Sequence, residues 1–296
     1  MRIRAAGAEG RRWVNSLPER VRHLAAKWRF TPGKVLAGGS ESLVLLVDTE
    51  GHGEAVVKLG LPGVCDCAHE ARVLQVAAGT RYAALLDGDA ESNALLLERL
   101  GASLASSALS VDRQIELLCG TLREAWIPLE SSDWLMTGEG KARWLADFID
   151  STWRDLAPGL PGEVRDAALA CAEERGQAYS AASSCLVHGD AHEQNALYAP
   201  DGRLKFVDPD GLFAERACDL AVLMRGWNPV LLGGDALVLG RTRCKAIASL
   251  TGVDEHAIWQ WGFMERVSTG LLMLQIGMEK EGRETLAVAR AWTETR

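Results

Sequence analysis

No stretch of this 296-residue chain stays apolar for the roughly 18 residues a membrane span requires. The opening Met1-Arg-Ile-Arg-Ala-Ala-Gly7 also lacks the hydrophobic segment of a signal peptide. Both absences point to a cytoplasmic protein with no membrane partner. Basic surplus is missing too: a formal net charge of −8 and a pI near 5.4 lack the positive footprint of a nucleic-acid binder and suit a cationic small-molecule partner. The seven cysteines have no regular spacing, which fits reduced thiols rather than a disulfide framework. Their one cluster, Cys65-Asp-Cys67-Ala-His69, lacks the second Cys/His pair of a zinc site and reads as chemically idle. Internal repeats and low-complexity tracts are absent. What is present, 48% hydrophobic and 24% charged residues, excludes disordered and collagen-like classes.

Hydrophobic periodicity changes along the chain. Val14, Leu17, Val21, Leu24, Ala25 and Trp28 recur at three- and four-residue intervals and predict an amphipathic helix over 11–29, with Pro18 as a break or restart. Short β-type runs follow at 34–37, 43–47 and 55–59, the last two joined by the turn Asp48-Thr-Glu-Gly-His-Gly53. A helix is expected from Cys67 to Ala78, then strands at 83–86 and 94–97 split by the turn-rich residues 87–93. Beyond Leu100 the pattern is helical at 111–125, 141–156 and 161–182, interrupted at 186–211. The order predicts an α+β chain of two lobes: an antiparallel sheet with one helix over 1–100, and a larger, mostly helical part over 101–296.

The chemistry concentrates in the interruption. His188-Gly-Asp190-Ala-His-Glu-Gln-Asn195 places an asparagine five residues after an aspartate, and Phe206-Val-Asp208 ends a short strand with a second acid. In phosphoryl transfer such an aspartate orients the attacking hydroxyl, while amide and carboxylate oxygens are the hard donors that Mg²⁺ prefers. Asp190 is therefore the candidate catalytic residue, Asn195 and Asp208 the candidate metal ligands, and His188 a support for the loop backbone. Turn chemistry alone accounts for the same residues one by one, but not for their joint spacing.

Upstream, Lys58 lies in an apolar strand, where an ammonium needs an anion, and Glu70 follows twelve residues later. Kinases use such a pair to hold the α- and β-phosphates. The turn Ala37-Gly-Gly-Ser-Glu-Ser42 stands where a phosphate-covering loop belongs. It lacks the full glycine pattern, leaving Gly39, Ser40 and Ser42 as candidate phosphate donors. Leu97-Glu98-Arg-Leu100 closes the last strand, where backbone groups near Glu98 and Leu100 are expected to meet adenine.

With these residues assembled, the chain resembles the aminoglycoside phosphotransferases, most closely the streptomycin 6-phosphotransferase and hydroxyurea kinase group. The likeness runs from Glu9-Gly-Arg-Arg-Trp-Val-Asn-Ser-Leu-Pro18 through Leu95-Leu-Leu-Glu-Arg-Leu100 and His188-Gly-Asp190 to Asp208-Pro-Asp-Gly-Leu212 and Cys218-Asp-Leu220. The resemblance implies a bilobal protein-kinase-like fold and transfer of the γ-phosphate of ATP or GTP, with Mg²⁺, to a hydroxyl of an antibiotic. It implies Asp190 as catalytic aspartate, Asn195 and Asp208 as metal ligands, Lys58 as phosphate-binding lysine, and Asp219 as a structural aspartate beneath the catalytic loop.

A cationic acceptor calls for carboxylates and flat rings. Asp210, Glu215, Glu265 and Glu279 are the candidate acids, and Trp227, Trp259 and Trp261 the candidate rings. Competing readings are a kinase for hydroxyurea, another antibiotic, choline, a sugar-amine or homoserine; a metal-dependent hydrolase built on His188, Asp190 and His192; and a silent nucleotide-binding protein.

Overall fold

The computed structural model describes residues 7–36, 41–156 and 158–294. The chain folds into two compact units: Met1–Ala102 with Leu197–Asp208, and Ser103–Ala196 with Pro209–Arg296. The second unit is therefore not the continuous stretch 101–296 that the sequence suggests. A short excursion returns to the first unit.

The first unit begins with α1 (Gly7–Trp28), then β1 (Phe30–Val35), β2 (Ser42–Thr49), β3 (Gly53–Gly60), α2 (Cys67–Ala77), β4 (Leu85–Asp89) and β5 (Ala94–Glu98). The strands form one antiparallel sheet in the order β1-β2-β3-β5-β4. α1 runs through Pro18 without a break. An interior proline costs a helix about 3 kcal/mol. Its buried stripe offsets this: Trp13, Leu24 and Trp28 pack with Phe30, Leu45, Val47, Ala55, Val57 and Leu59 in one core, each large side chain contributing roughly 1.5–3 kcal/mol.

Two strands depart from the expected ranges, and both lie at sheet edges. β1 spans Phe30–Val35 instead of 34–37, and β4 spans Leu85–Asp89 instead of 83–86, absorbing the supposed turn Asp87-Gly-Asp89. Each carries an irregular register, at Pro32/Val35 and at Leu85/Asp87. Edge strands bury little, so their alternation is weak and Pro or Gly is tolerated in them. The returning segment carries β9 (Ala196–Tyr198) and β10 (Leu204–Phe206), which pair with each other. Backbone bonds tie it to the first unit: Phe206 N donates to Arg81 O, Ala83 N to Phe206 O, and Gly101 N to Tyr198 O.

The second unit is mostly helical, with α3 (Val111–Ala125), α4 (Gly138–Leu156), α5 (Gly162–Gln177), α6 (Ala217–Arg225), α7 (Asn228–Leu232), α8 (Ala236–Thr251), α9 (Glu255–Gln275) and α10 (Glu279–Thr293). The helix expected over 161–182 stops at Gln177 and gives way to a short 3₁₀ turn at Ala181–Ser183. α9 is buried almost continuously from Ala257 to Leu271 and packs against α4, α5, α6 and α10. A small sheet links β6 (Ile127–Pro128), β8 (Cys185–Val187), β11 (Leu212–Ala214) and β7 (Met136–Thr137), in that order. β8 and β11 are antiparallel, with Leu186 opposite Phe213. Their buried side chains hold the two ends from which the candidate catalytic loop and the Pro209–Gly211 turn emerge.

Candidate functional site

Side chains alternate along β3, so Ala55, Val57 and Leu59 enter the core against α1, while Lys58 faces the other side of the sheet. There α2 supplies Glu70. Lys58 Nζ donates to Glu70 Oε2 at 2.5 Å and also pairs with Asp208 Oδ1. Lys58 and Glu70 are both buried, whereas the Asp208 side chain is 62% exposed. Burial opposes the lysine charge, but Glu70 and Asp208 outweigh it and raise its pKa above the ordinary value. The backbone at Asp208 is left-handed, with φ +60°. Such a conformation is disfavoured away from glycine and clusters where side-chain aim matters. Three expected residues, Lys58, Glu70 and Asp208, thus come together within the first unit.

The second unit holds the loop after β8. Asp219, fully buried in the first turn of α6, accepts His188 N at 2.9 Å and Gly189 N at 2.7 Å. It also accepts the Trp126 indole N–H at 3.0 Å. Burial pushes the Asp219 carboxyl above its usual range, while the neighbouring His188 ring and these donors pull the other way. Gly189 has φ +88°, and a Cβ there would stand 2.8 Å from the Cβ of Asp210, so glycine is required twice over. His188 Nδ1 accepts Asp190 N at 3.1 Å, and His188 O accepts Gly211 N at 2.9 Å. This histidine supports the loop backbone, as its place in the sequence suggests.

Asp190 and Asn195 are brought together: Asn195 Nδ2 donates to Asp190 O at 3.1 Å and reaches Asp190 Oδ2 at 3.4 Å. His192 Nε2 lies 3.3 Å from the same carboxylate oxygen. Sequence reasoning missed the strongest partner. Arg225, in the last turn of α6, donates to Asp190 Oδ1 and, at 2.9 Å, to Glu265 Oε2. Burial alone would raise the Asp190 pKa, yet Arg225, His192 and His188 hold it well below the carboxylate range. The one available signal was a basic residue ending a helix whose only other charge is Asp219, Ala217-Cys-Asp-Leu-Ala-Val-Leu-Met-Arg225.

Several candidates have different roles from those expected. Glu265 is 4% exposed and committed to Arg225, with Lys141 Nζ at 3.6 Å, so it presents no carboxylate directly to an acceptor. Glu215 accepts the Trp261 indole N–H at 2.8 Å and Arg175 at 3.3 Å, and Trp261 is itself core. Glu279 is an exposed helix acid paired with Arg283 one turn on. Trp259 packs on Trp292 with ring centres 4.5 Å apart, and the Arg241 guanidinium lies 3.6 Å over its ring. Trp227, half-buried with φ +56°, lies against Arg243. Asp210 is exposed.

Glu98 is occupied within the first unit. Its carboxylate accepts Ala84 N at 2.7 Å and Lys205 Nζ at 2.5 Å, and its own N–H donates to Ala84 O. Leu100 follows β5 outside any strand. Ser42 is buried at the start of β2, opposite Gly60, while Gly39 and Ser40 lie outside the described residues. Among the described residues, His188, Asp190 and His192 do not gather as a group of three metal ligands.

The first unit thus gathers an ammonium and two carboxylates at Lys58, Glu70 and Asp208, and the second a carboxylate and an amide at Asp190 and Asn195, the donor types that phosphoryl transfer calls for. Comparison with known proteins points the same way. Residues 27–277 match the family described as aminoglycoside/hydroxyurea antibiotic resistance kinase. A streptomycin 6-kinase from Streptomyces griseus is 27% identical over 293 residues, 97% of this chain and 93% of that protein. A hydroxyurea phosphotransferase from Kitasatospora aureofaciens is 28% identical over 88% of this chain and 78% of that protein. In fold, the chain is similar to a choline kinase from Streptococcus pneumoniae, with a TM-score of 0.62, 14% identity and coverage of 93% and 98%. The fold is kinase-like, and no helix among the described residues is long and apolar enough to cross a membrane. The chain belongs to the aminoglycoside/hydroxyurea antibiotic resistance kinases and is a phosphotransferase acting on hydroxyl groups.

Proposed function

We propose that the protein transfers the γ-phosphate of ATP or GTP to a hydroxyl of streptomycin, at the 6-position, in the cytoplasm. The observation that carries this reading is the near full-length likeness to a streptomycin 6-kinase, joined to the intact Lys58–Glu70 and Asp190–Asn195 pairs. Lys58, fixed by Glu70, holds the donor's phosphates. Asp190, kept ionised by Arg225, orients the acceptor hydroxyl by accepting its hydrogen bond. Asn195 and Asp208 are the residues that would hold Mg²⁺, which supplies charge neutralisation at the transferring phosphoryl group. Asp210, exposed and close in sequence to both motifs, is the acid assigned to the cationic acceptor.

A second reading, hydroxyurea as acceptor, is favoured by the 28% identity to a hydroxyurea phosphotransferase. Nucleotide consumption measured with streptomycin, hydroxyurea and choline separates the two and covers the metabolic alternative. Streptomycin-dependent turnover, with phosphorylated streptomycin found by mass spectrometry and loss of turnover in Asp190→Ala, is the expected result. Turnover with hydroxyurea or choline alone would overturn the assignment.

A further inference from the structure

Beside the Lys58–Glu70 pair lie two thiols that phosphate transfer does not use. Cys65 Sγ and Cys67 Sγ are 4.0 Å apart, and one ligand atom from each of Cys65, Cys67 and Glu70 lies within 4.8 Å of the others. The sequence favours no metal here, because it lacks a second Cys/His pair. The fold supplies a third donor from the first turn of α2 instead, a carboxylate in place of the nearby His69.

The surroundings hold this geometry in place. Asn93, itself at φ +50°, accepts Cys67 N at 3.0 Å through Oδ1 and donates Nδ2 to Cys65 O at 2.8 Å, clamping the Cys-Asp-Cys segment on both sides. The thiols sit over Gly60, where a Cβ would stand 3.0 Å from each sulfur and 2.6 Å from Asn93 Nδ2. Asp66, the intervening residue, is occupied in capping α2 through Ala68 N and His69 N. A tetrahedral ion with metal–sulfur bonds of about 2.3 Å places its two sulfurs about 3.8 Å apart, close to the separation already present.

We propose that Cys65, Cys67 and Glu70 form an exchangeable site for a thiophilic divalent cation of the zinc or cadmium class, and that its occupancy competes with Lys58 for Glu70. Binding forms two metal–sulfur bonds and one metal–oxygen bond. The two thiols become thiolates and release their protons to solvent, and no electrons move. Three protein ligands leave one position open to water, the arrangement of an exchangeable site rather than a closed structural one. Cys65 is partly exposed and offers the entry path; Cys67 is buried. Because Glu70 also fixes Lys58, the bound ion weakens the hold on the nucleotide phosphates.

Cadmium chloride titrated into the full, reduced chain tests the site through sulfur-to-metal charge-transfer absorption, independently of any kinase assignment. One equivalent with the intensity of two thiolates is expected. The signal should be lost in Cys65→Ser and in Cys67→Ser, and kept in Cys171→Ser, which removes another partly exposed thiol. Thermal melting of the metal-free variants checks that they fold, and Cys65→Ser, at the more exposed position, serves alone if Cys67→Ser does not. No absorption, or full absorption in Cys65→Ser, overturns the site. In the coupled arm, which rests on the kinase reading, zinc raises the apparent KM for nucleotide in the wild type and not in Cys65→Ser/Cys67→Ser. Equal zinc sensitivity in both overturns the competition for Glu70.

Discussion

Asp190 and Lys58 each keep their charge because an opposite charge was folded against them. Arg225 makes its two contacts through different nitrogens of one planar guanidinium, one to Asp190 and one to Glu265, and Lys141 adds a second cation on the far side of Glu265. The result is a chain of alternating charges, Lys141–Glu265–Arg225–Asp190, whose last member is the catalytic candidate. Arg225 is accordingly a positioning residue. Arg225→Met is expected to lower kcat by about 10- to 100-fold through misplacement of Asp190, while affinity for a nucleotide analogue, measured by fluorescence titration, stays within about twofold. A rise in nucleotide KM with kcat intact would contradict this role. Arg225→Lys should recover little, because an ammonium lacks the fork that spans both carboxylates. None of this chain was visible in the sequence. Its members lie 35 and 40 residues apart along the backbone, and no local motif joins them. Asp190, Asn195, Lys58 and Glu70 were legible because their short spacings follow from a loop and from a strand–helix pair.

At the level of elements, α6 does most of the positioning. Its first turn supplies Asp219, which holds the backbone of His188 and Gly189, and its last turn supplies Arg225. Every residue from Ala217 to Met224 is buried, so the helix is a rigid rod with a functional charge at each end. Its C-terminal carbonyls are capped by guanidiniums: Arg266 donates to Met224 O at 2.5 Å and Arg243 to Gly226 O at 3.0 Å. Such cations also suit the negative end of the helix dipole. Arg266 is fully buried, and its pKa is pushed well below the usual value by burial and then by Arg243. Asp219→Ala should leave two backbone N–H groups and the Trp126 indole without their acceptor, costing roughly 3 kcal/mol or more. Chemical denaturation of the variant reads that loss, together with a fall in kcat; a change below about 1 kcal/mol would mean that water replaces the carboxylate. Helices α3 and α4 were legible through their hydrophobic pattern. The edge strands β1 and β4 were not, because one buried face of a few residues leaves too little alternation to fix a register.

Across the molecule, the change from strands to helices after Leu100 is legible in the hydrophobic pattern, whereas the crossing of the chain back to its first unit is not. The return of Leu197–Asp208 rests on strands of three residues and on long-range backbone bonds to Arg81, Ala83 and Gly101, which leave no periodic trace. The charges of both units combine in the response to pH. Asp190 has a depressed folded pKa, and so does Asp89, where burial is outweighed by the hydrogen bond from Lys27. A depressed carboxylate contributes stability that is present above its unfolded value of about 3.9 and is lost as the pH falls through the folded value. Lys58 is shifted upward, so its contribution is present below about 10.4 and is lost only as the pH rises through the folded value. Neither shift places a transition near neutrality, and stability should be flat there with respect to these groups. Removing Arg225 changes the acid side in a signed way. In Arg225→Met, Asp190 remains half-buried without its main counter-ion, and protonating it relieves that penalty. The gap in melting temperature between wild type and variant should therefore be widest near pH 7 and narrow as the pH is lowered toward about 4. Thermal unfolding followed across that range measures it directly, and a gap that stays constant would show that Arg225 is not what keeps Asp190 ionised.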